Sequence, residues 1–244
     1  MSATFAAAAL SVMTGLSSLL PIPAQQATTV DTIAAGDTFL ITTSTILGSG
    51  VPETSKCSMG PIIDDDLAFT ASHCGPVGST VLNEHGEPIG TVTSFINGRD
   101  IATIDFLPTV TAVPTPINDD WVPDDDVKEK VSKVGATTGY SEGTTTGIGG
   151  FYDAPIAGDT ILGKTPLGKL IPPALDPTEW TRQMWTTSGF MATLCTEPGD
   201  SGAAVFNSKG EAVGVVSGSA GDCDESVAGS GNTFVANITG LDPR

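Results

Sequence analysis

The feature that most limits the fold is a succession of short β-branched segments, closely spaced and almost without helical periodicity. Phe39–Ile46, Ala68–Ala71, Ile89–Ile96 and Ile101–Phe106 are bounded by Gly, Pro or Asp. The second half continues with Val131–Val134, Ala203–Phe206, Ala212–Val216 and Thr233–Ile238. Such side chains fit a pleated, half-buried surface and lose rotamer freedom in a helix. Asn207–Gly210 lies between two of the segments as a hairpin turn. Outside the N-terminal run, Pro177–Met184 is the best short helical candidate. Many strands at close spacing predict an all-β sandwich or barrel.

A chain of 244 residues can bury a real core, as one large domain or two small ones packed together. The Pro- and Asp-rich stretch from Leu107 to Asp126 is the natural boundary between two β units, placed at residues 28–115 and 116–244. Residues 3–20 form an uncharged Ala/Leu-rich run that stops before Pro21. Residues 1–27 therefore read as a secretory leader, with cleavage after Ala24 or Ala27, although no basic residue precedes the run. A membrane anchor fits less well, because small residues dominate and a proline break follows.

Export agrees with the four cysteines, an even number that favours two disulfides in an oxidising compartment. Spacing alone leaves all three connectivities open. A zinc site is disfavoured because no two cysteines are close enough for a knuckle. The net charge of −18, from 28 acidic and 10 basic residues, argues against nucleic acid or an anionic membrane as partner. Asp64–Asp66 and the acidic stretch Asp119–Asp126 lack a spaced calcium loop with a glycine turn, and read as solvated loops.

The chain has two histidines. His85 lies in a polar turn, Asn83–Pro88, and reads as a surface residue. His73 ends the apolar string Phe69–Cys74 beside a cysteine, a held imidazole of the kind a general base needs. In Cys195–Gly202, Gly199 and Gly202 flank Ser201, which lets backbone approach a substrate and turn N–H groups toward an oxyanion. Asp100 opens a buried-looking strand and can accept the imidazole N–H. Asp105 is its rival, but sits inside that strand on the outer face. The order His, Asp, Ser separates this chain from subtilisin-type enzymes and α/β-hydrolases.

With these strings in hand, the sequence resembles the chymotrypsin-like serine proteases, in particular the bacterial streptogrisin-like branch. The matching strings are Lys56–Gly60, Phe69–Cys74, Arg99–Ala102, Val134–Gly139, Cys195–Gly202, Val215–Cys223 and Gly231–Phe234. The resemblance implies two six-stranded antiparallel β-barrels with the active site in the cleft between them. His73 and Asp100 would come from the first barrel and Ser201 from the second, with Gly199 and Ser201 N–H groups as the oxyanion hole. It also implies disulfides Cys57–Cys74 and Cys195–Cys223, and Ser217 as a hydrogen-bond donor to Asp100. Ser217, Gly218 and Ser219 would pair with substrate backbone, while Thr193, Leu194 and Val216 would line the primary pocket. Lys133 stands where bacterial relatives carry an arginine paired to the aspartate before the nucleophile, here Asp200, and Ala203 replaces the usual second glycine after the serine. The implied activity is peptide-bond hydrolysis by a secreted monomer acting on proteins or peptides, without metal or cofactor and without lasting membrane attachment. An esterase on the same scaffold, or a silent binding protein that kept the fold, are the alternatives.

Overall fold

The structure is a computed structural model that describes residues 31–43, 53–96, 99–148, 188–219, 223 and 229–241. The leader, the helical candidate 177–184, Ala220 and Asp222 lie outside these residues. Fourteen strands and one 3₁₀ turn, Ser72–Cys74, make up the regular structure of the described residues.

Six strands of the first half form one antiparallel sheet: β2 (Thr38–Thr43), β3 (Glu53–Ser58), β4 (Leu67–Thr70), β5 (Thr80–Leu82), β6 (Pro88–Phe95) and β7 (Ala102–Phe106). Their order is β3-β2-β5-β6-β7-β4. The sheet curls until its two edges meet through Gly60 N–H to Phe69 O (3.0 Å), Phe69 N–H to Pro61 O (2.8 Å) and a bridge between Ile62 and Ala68. The seam is thus made by the residues after β3 and not by a continuous ladder. Pro61 carries no N–H to extend one. Two short strands, β1 (Asp31–Ile33) and β8 (Val110–Ala112), pair in parallel, a contact the alternation pattern did not announce.

The second half closes fully. Strands β9 (Lys130–Gly135), β10 (Gly139–Ile148), β11 (Gly189–Ala192), β12 (Ala204–Asn207), β13 (Ala212–Ser219) and β14 (Thr233–Asn237) form a barrel in the order β10-β11-β14-β13-β12-β9. Closure leaves no edge to template aggregation. No helix of the described residues is long and apolar enough to cross a membrane.

Three apolar clusters follow from this layout. Phe39, Ile41, Met59, Ile89 and Ile104 fill the first sheet. Phe190, Leu194, Val205, Val213 and Val235 fill the barrel, with Trp121 set edge-on to Phe190 at 5.3 Å between ring centroids. Phe69 and Ile101 from the first half meet Val215, Ala236 and Ile238 from the second, forming the joint between them. This joint explains why β13 and β14 are buried along nearly their whole length and show no clean alternation. On β7 the pattern is sharper: Ile104 is buried and Asp105 faces solvent, where its carboxylate accepts from Thr93 at 2.8 Å.

Phe190→Ala should lower stability by about 3–5 kcal/mol through a cavity at the barrel centre. Tyr140→Ala, on a side chain that is 61% exposed, should change it by no more than about 0.5 kcal/mol. Urea denaturation followed by tryptophan fluorescence checks both, and equal effects would contradict the core assignment.

Candidate active site

His73 is carried by the 3₁₀ turn that follows β4, a turn held by Cys74 N–H to Ala71 O at 3.1 Å. Cys74 is bonded to Cys57 on β3, which fixes the turn to the sheet, and Cys195 is bonded to Cys223. Asp100 lies just before β7, and Ser201 stands in the turn before β12. The backbone of Ser201 is tied to the other half of the molecule by Ser58 N–H to Ser201 O, 2.8 Å.

These elements set three side chains in one hydrogen-bonded row. His73 Nδ1 is 2.6 Å from Asp100 Oδ2, and His73 Nε2 is 2.8 Å from Ser201 Oγ. A carboxylate only accepts, so Nδ1 carries the proton and Nε2 is left to accept from the serine hydroxyl. The Asp100 carboxylate takes three further bonds: Ser72 Oγ–H to Oδ1 (2.6 Å), His73 N–H to Oδ1 (3.0 Å) and Ser217 Oγ–H to Oδ2 (2.6 Å). Asp105, the rival carboxylate, is on the outer face and reaches none of this.

Burial alone would raise the pKa of Asp100, but the adjacent imidazole and the bonds from His73, Ser217 and Ser72 outweigh it and bring the pKa down to about 2. Burial likewise disfavours a charged His73, yet attraction to Asp100 overcomes this and the imidazole pKa rises above its ordinary value. The pair is therefore arranged to stabilise an imidazolium while Asp100 stays ionised.

The loop before Ser201 is held by a second buried carboxylate. Asp200 Oδ1 accepts Thr137 N–H (2.8 Å) and Thr138 N–H (3.1 Å), while Oδ2 accepts Thr138 Oγ–H (2.6 Å), Glu197 N–H (3.0 Å) and the Lys133 ammonium (3.1 Å). Lys133 and Asp200 are both fully buried, and the ammonium also donates to Gly139 O at 3.1 Å. Burial opposes ionisation of Asp200, but these donors hold its carboxyl below the usual range. A lysine here gives one bond to the carboxylate where an arginine gives a fork, and the threonine and backbone donors complete the set.

Gly199 has φ +104° and Gly202 has φ +87°, conformations open to glycine, and a Cβ on Gly202 would run into Thr70 Oγ1 and Ser58 O. Among the described residues no acceptor takes the N–H of Gly199 or of Ser201. Both are free for an incoming oxygen. Ala203 is fully buried and its N–H bonds Asp200 O at 3.0 Å, so the extra methyl is accommodated in the core.

Of the residues predicted for substrate contact, Thr193, Gly218 and Ser219 are partly exposed. Leu194 and Val216 are not brought to the cleft surface: they are 0% and 1% exposed and pack inside the barrel. The alternation of β11 carries on past its end at Ala192 and accounts for Leu194: Ala192 and Leu194 are buried and Thr193, between them, is partly exposed. Thr193 Oγ1 accepts Thr144 N–H at 3.0 Å. Ser72, Ser58, Thr137 and Thr138 were not singled out from the sequence. A hydroxyl immediately before His73 was the one available hint for Ser72.

Comparison with known proteins agrees with this geometry. Among curated proteins no sequence matches significantly. The chymotrypsin of Cellulomonas bogoriensis superposes with TM-score 0.55 at 22% identity, covering 85% of this chain and 92% of that one. The Nocardiopsis protease gives 0.56 at 22%, covering 85% and 93%. A glutamic acid specific serine protease that "utilizes a novel histidine triad in substrate binding" gives 0.56 at 19%, covering 84% and 94%. At these identities the likeness is one of fold. The family model described as Trypsin matches residues 44–239, most of the length and every residue of the hydrogen-bonded row, and the chain accordingly belongs to the trypsin family of chymotrypsin-like serine proteases.

Proposed function

We propose that the protein is a secreted serine endopeptidase that works through an acyl-enzyme on Ser201. The observation that carries this reading is the uninterrupted row Ser201–His73–Asp100, with two unclaimed N–H groups beside the serine. In this reading His73 Nε2 takes the Ser201 proton as Oγ attacks the peptide carbonyl, and Asp100 stabilises the resulting imidazolium. The N–H groups of Gly199 and Ser201 receive the negative charge that develops on the carbonyl oxygen. His73 then hands its proton to the leaving amine, and water repeats the sequence to release the acyl group. No step needs a metal or cofactor. Two disulfides and the apolar leader support export, and the two catalytic halves divide near residue 115.

The primary pocket is assigned to Thr193, Gly218 and Ser219, with Leu194 and Val216 as packing beneath. A cationic substrate side chain would need a buried carboxylate there, and an anionic one a buried cation. None of these residues is charged. A histidine triad for glutamate is not available in a chain whose only histidines are His73 and His85, the latter at an exposed turn. The preference on the acyl side of the cleaved bond is therefore for apolar residues, medium-sized to aromatic.

His73→Ala or Ser201→Ala should lower kcat by roughly 10⁴ to 10⁶, with thermal stability little changed. A fluorophosphonate should label the wild type and not Ser201→Ala. Labelling that survives Ser201→Ala would remove the assignment.

Activity needs neutral His73, so kcat/KM should rise with pH through one titration lying above the ordinary imidazole value of about 6.5. The stability contribution has the opposite sense: a raised pKa stabilises the fold below the unfolded pKa and is lost as pH rises through the folded one. Asp100→Asn should move the kinetic titration downward, and an unmoved profile would detach Asp100 from His73. A panel of chromogenic peptides varied only at the acyl-side residue should rank Leu, Phe and Met above Arg, Lys and Glu in kcat/KM. Arg in first place would show that a carboxylate such as Glu197 reaches the pocket.

A further inference from the structure

The orientation of the Pro198–Gly199 peptide has a physical cause outside the catalytic row. No peptide bond among the described residues is cis, so Pro198 C=O and Gly199 N–H point in opposite directions. Pro198 O accepts a hydrogen bond from Thr137 Oγ at 2.9 Å. Whatever holds that oxygen on the Thr137 side turns the Gly199 N–H to the opposite side of the peptide.

A hydroxyl has one hydrogen and could equally receive an N–H if the peptide turned over. What biases it is Lys56. The ammonium lies 3.4 Å from Thr137 Oγ and 2.9 Å from Ala136 O. It occupies a lone pair of the hydroxyl, sends the hydroxyl hydrogen outward as a donor, and repels the positive end of an N–H dipole. The side chain reaches this place because Lys56 and Ser58 share one face of β3. Ser58 Oγ anchors the next carbonyl along, Gly199 O, at 2.8 Å, and accepts Ala136 N–H at 2.8 Å. The two carbonyls that flank Gly199 are thus each clamped by a hydroxyl. The space confirms the contact: a Cβ on Gly199 would collide with Thr137 Oγ1 and come to 3.4 Å from Lys56 Cδ.

We infer that Thr137, polarised by Lys56, is a positioning residue that sets the Gly199 N–H as an oxyanion donor. This rests on the endopeptidase reading above. Neither side chain touches the reacting atoms. Their effect passes through one peptide plane, and it falls on the transition state, where the oxygen carries charge, more than on substrate binding.

The test compares T137V, T137S, K56M and, as a charge control, K130M at an exposed lysine. For each, kcat and KM on one peptide substrate, the rate of fluorophosphonate labelling and the melting temperature are measured. T137V should lose about 10- to 100-fold in kcat and a similar factor in labelling rate, with KM within about twofold. T137S, which restores the hydroxyl, should return to within about threefold of wild type. K56M should lose about three- to tenfold in kcat, and K130M should match wild type. The inference falls if T137V keeps its kcat, if its loss lies in KM, or if T137S is no better than T137V. Should T137V fail to fold, K56M against K130M decides: equal kcat overturns it. Wild-type protein that neither cleaves peptides nor labels would overturn the endopeptidase reading itself, a result distinct from any of these.

Discussion

The buried Asp100 carboxylate is the interaction on which the arrangement of this molecule most depends. An ionised group that is 5% exposed survives only if donors replace the water it has lost. Here the donors come from both halves: Ser72 and His73 from the turn after β4, and Ser217 from β13 of the barrel. The satisfaction of one charge therefore fixes how the two sheets meet. The apolar joint of Phe69, Ile101, Val215, Ala236 and Ile238 supplies adhesion there but little direction. The short bonds to Asp100, with Arg99 Nη1 reaching Asn237 O at 2.9 Å, supply the register.

Asp200 plays the matching part inside the barrel. Five donors converge on it, and all but Glu197 N–H come from β9 or the turn after it. Because the charge partner is Lys133, fully buried within the same barrel, the loop that carries Ser201 is held from within the described fold. The pair is worth having for geometry more than for net stability, since desolvating two charges costs about what their attraction returns. Its consequence is a fixed path for Glu197–Gly202, onto which the clamps from Ser58 and Thr137 are then added.

Much of this was legible in the residues. Short β-branched strings, few helical periods and an even cysteine count pointed to a disulfide-bearing β protein. The two strings around His73 and Ser201, and an aspartate opening a strand, picked out the three side chains that form the row. Those signals are local, and local chemistry is what a linear sequence displays: alternation, turn residues and the neighbours of a nucleophile all act within a few positions.

Contacts between distant positions were decided by the tertiary structure. Leu194 reads as a pocket residue by position, yet the inward phase carried on past the end of β11 buries it. That Ser72 would join Ser217 at Asp100, and that Ser58 would clamp a carbonyl 141 residues away, follow from how the sheet curls and docks on the barrel. The first sheet's seam was likewise settled by a proline that cannot extend a ladder. A serine or threonine looks the same in sequence whether it faces water or holds a peptide plane, because its role depends on the one direction its single hydrogen finds an acceptor. The sequence by itself determined the strand-rich class and the three side chains that form the hydrogen-bonded row. The docking of two sheets, through charges that had to be satisfied out of water, decided the aim of everything around them.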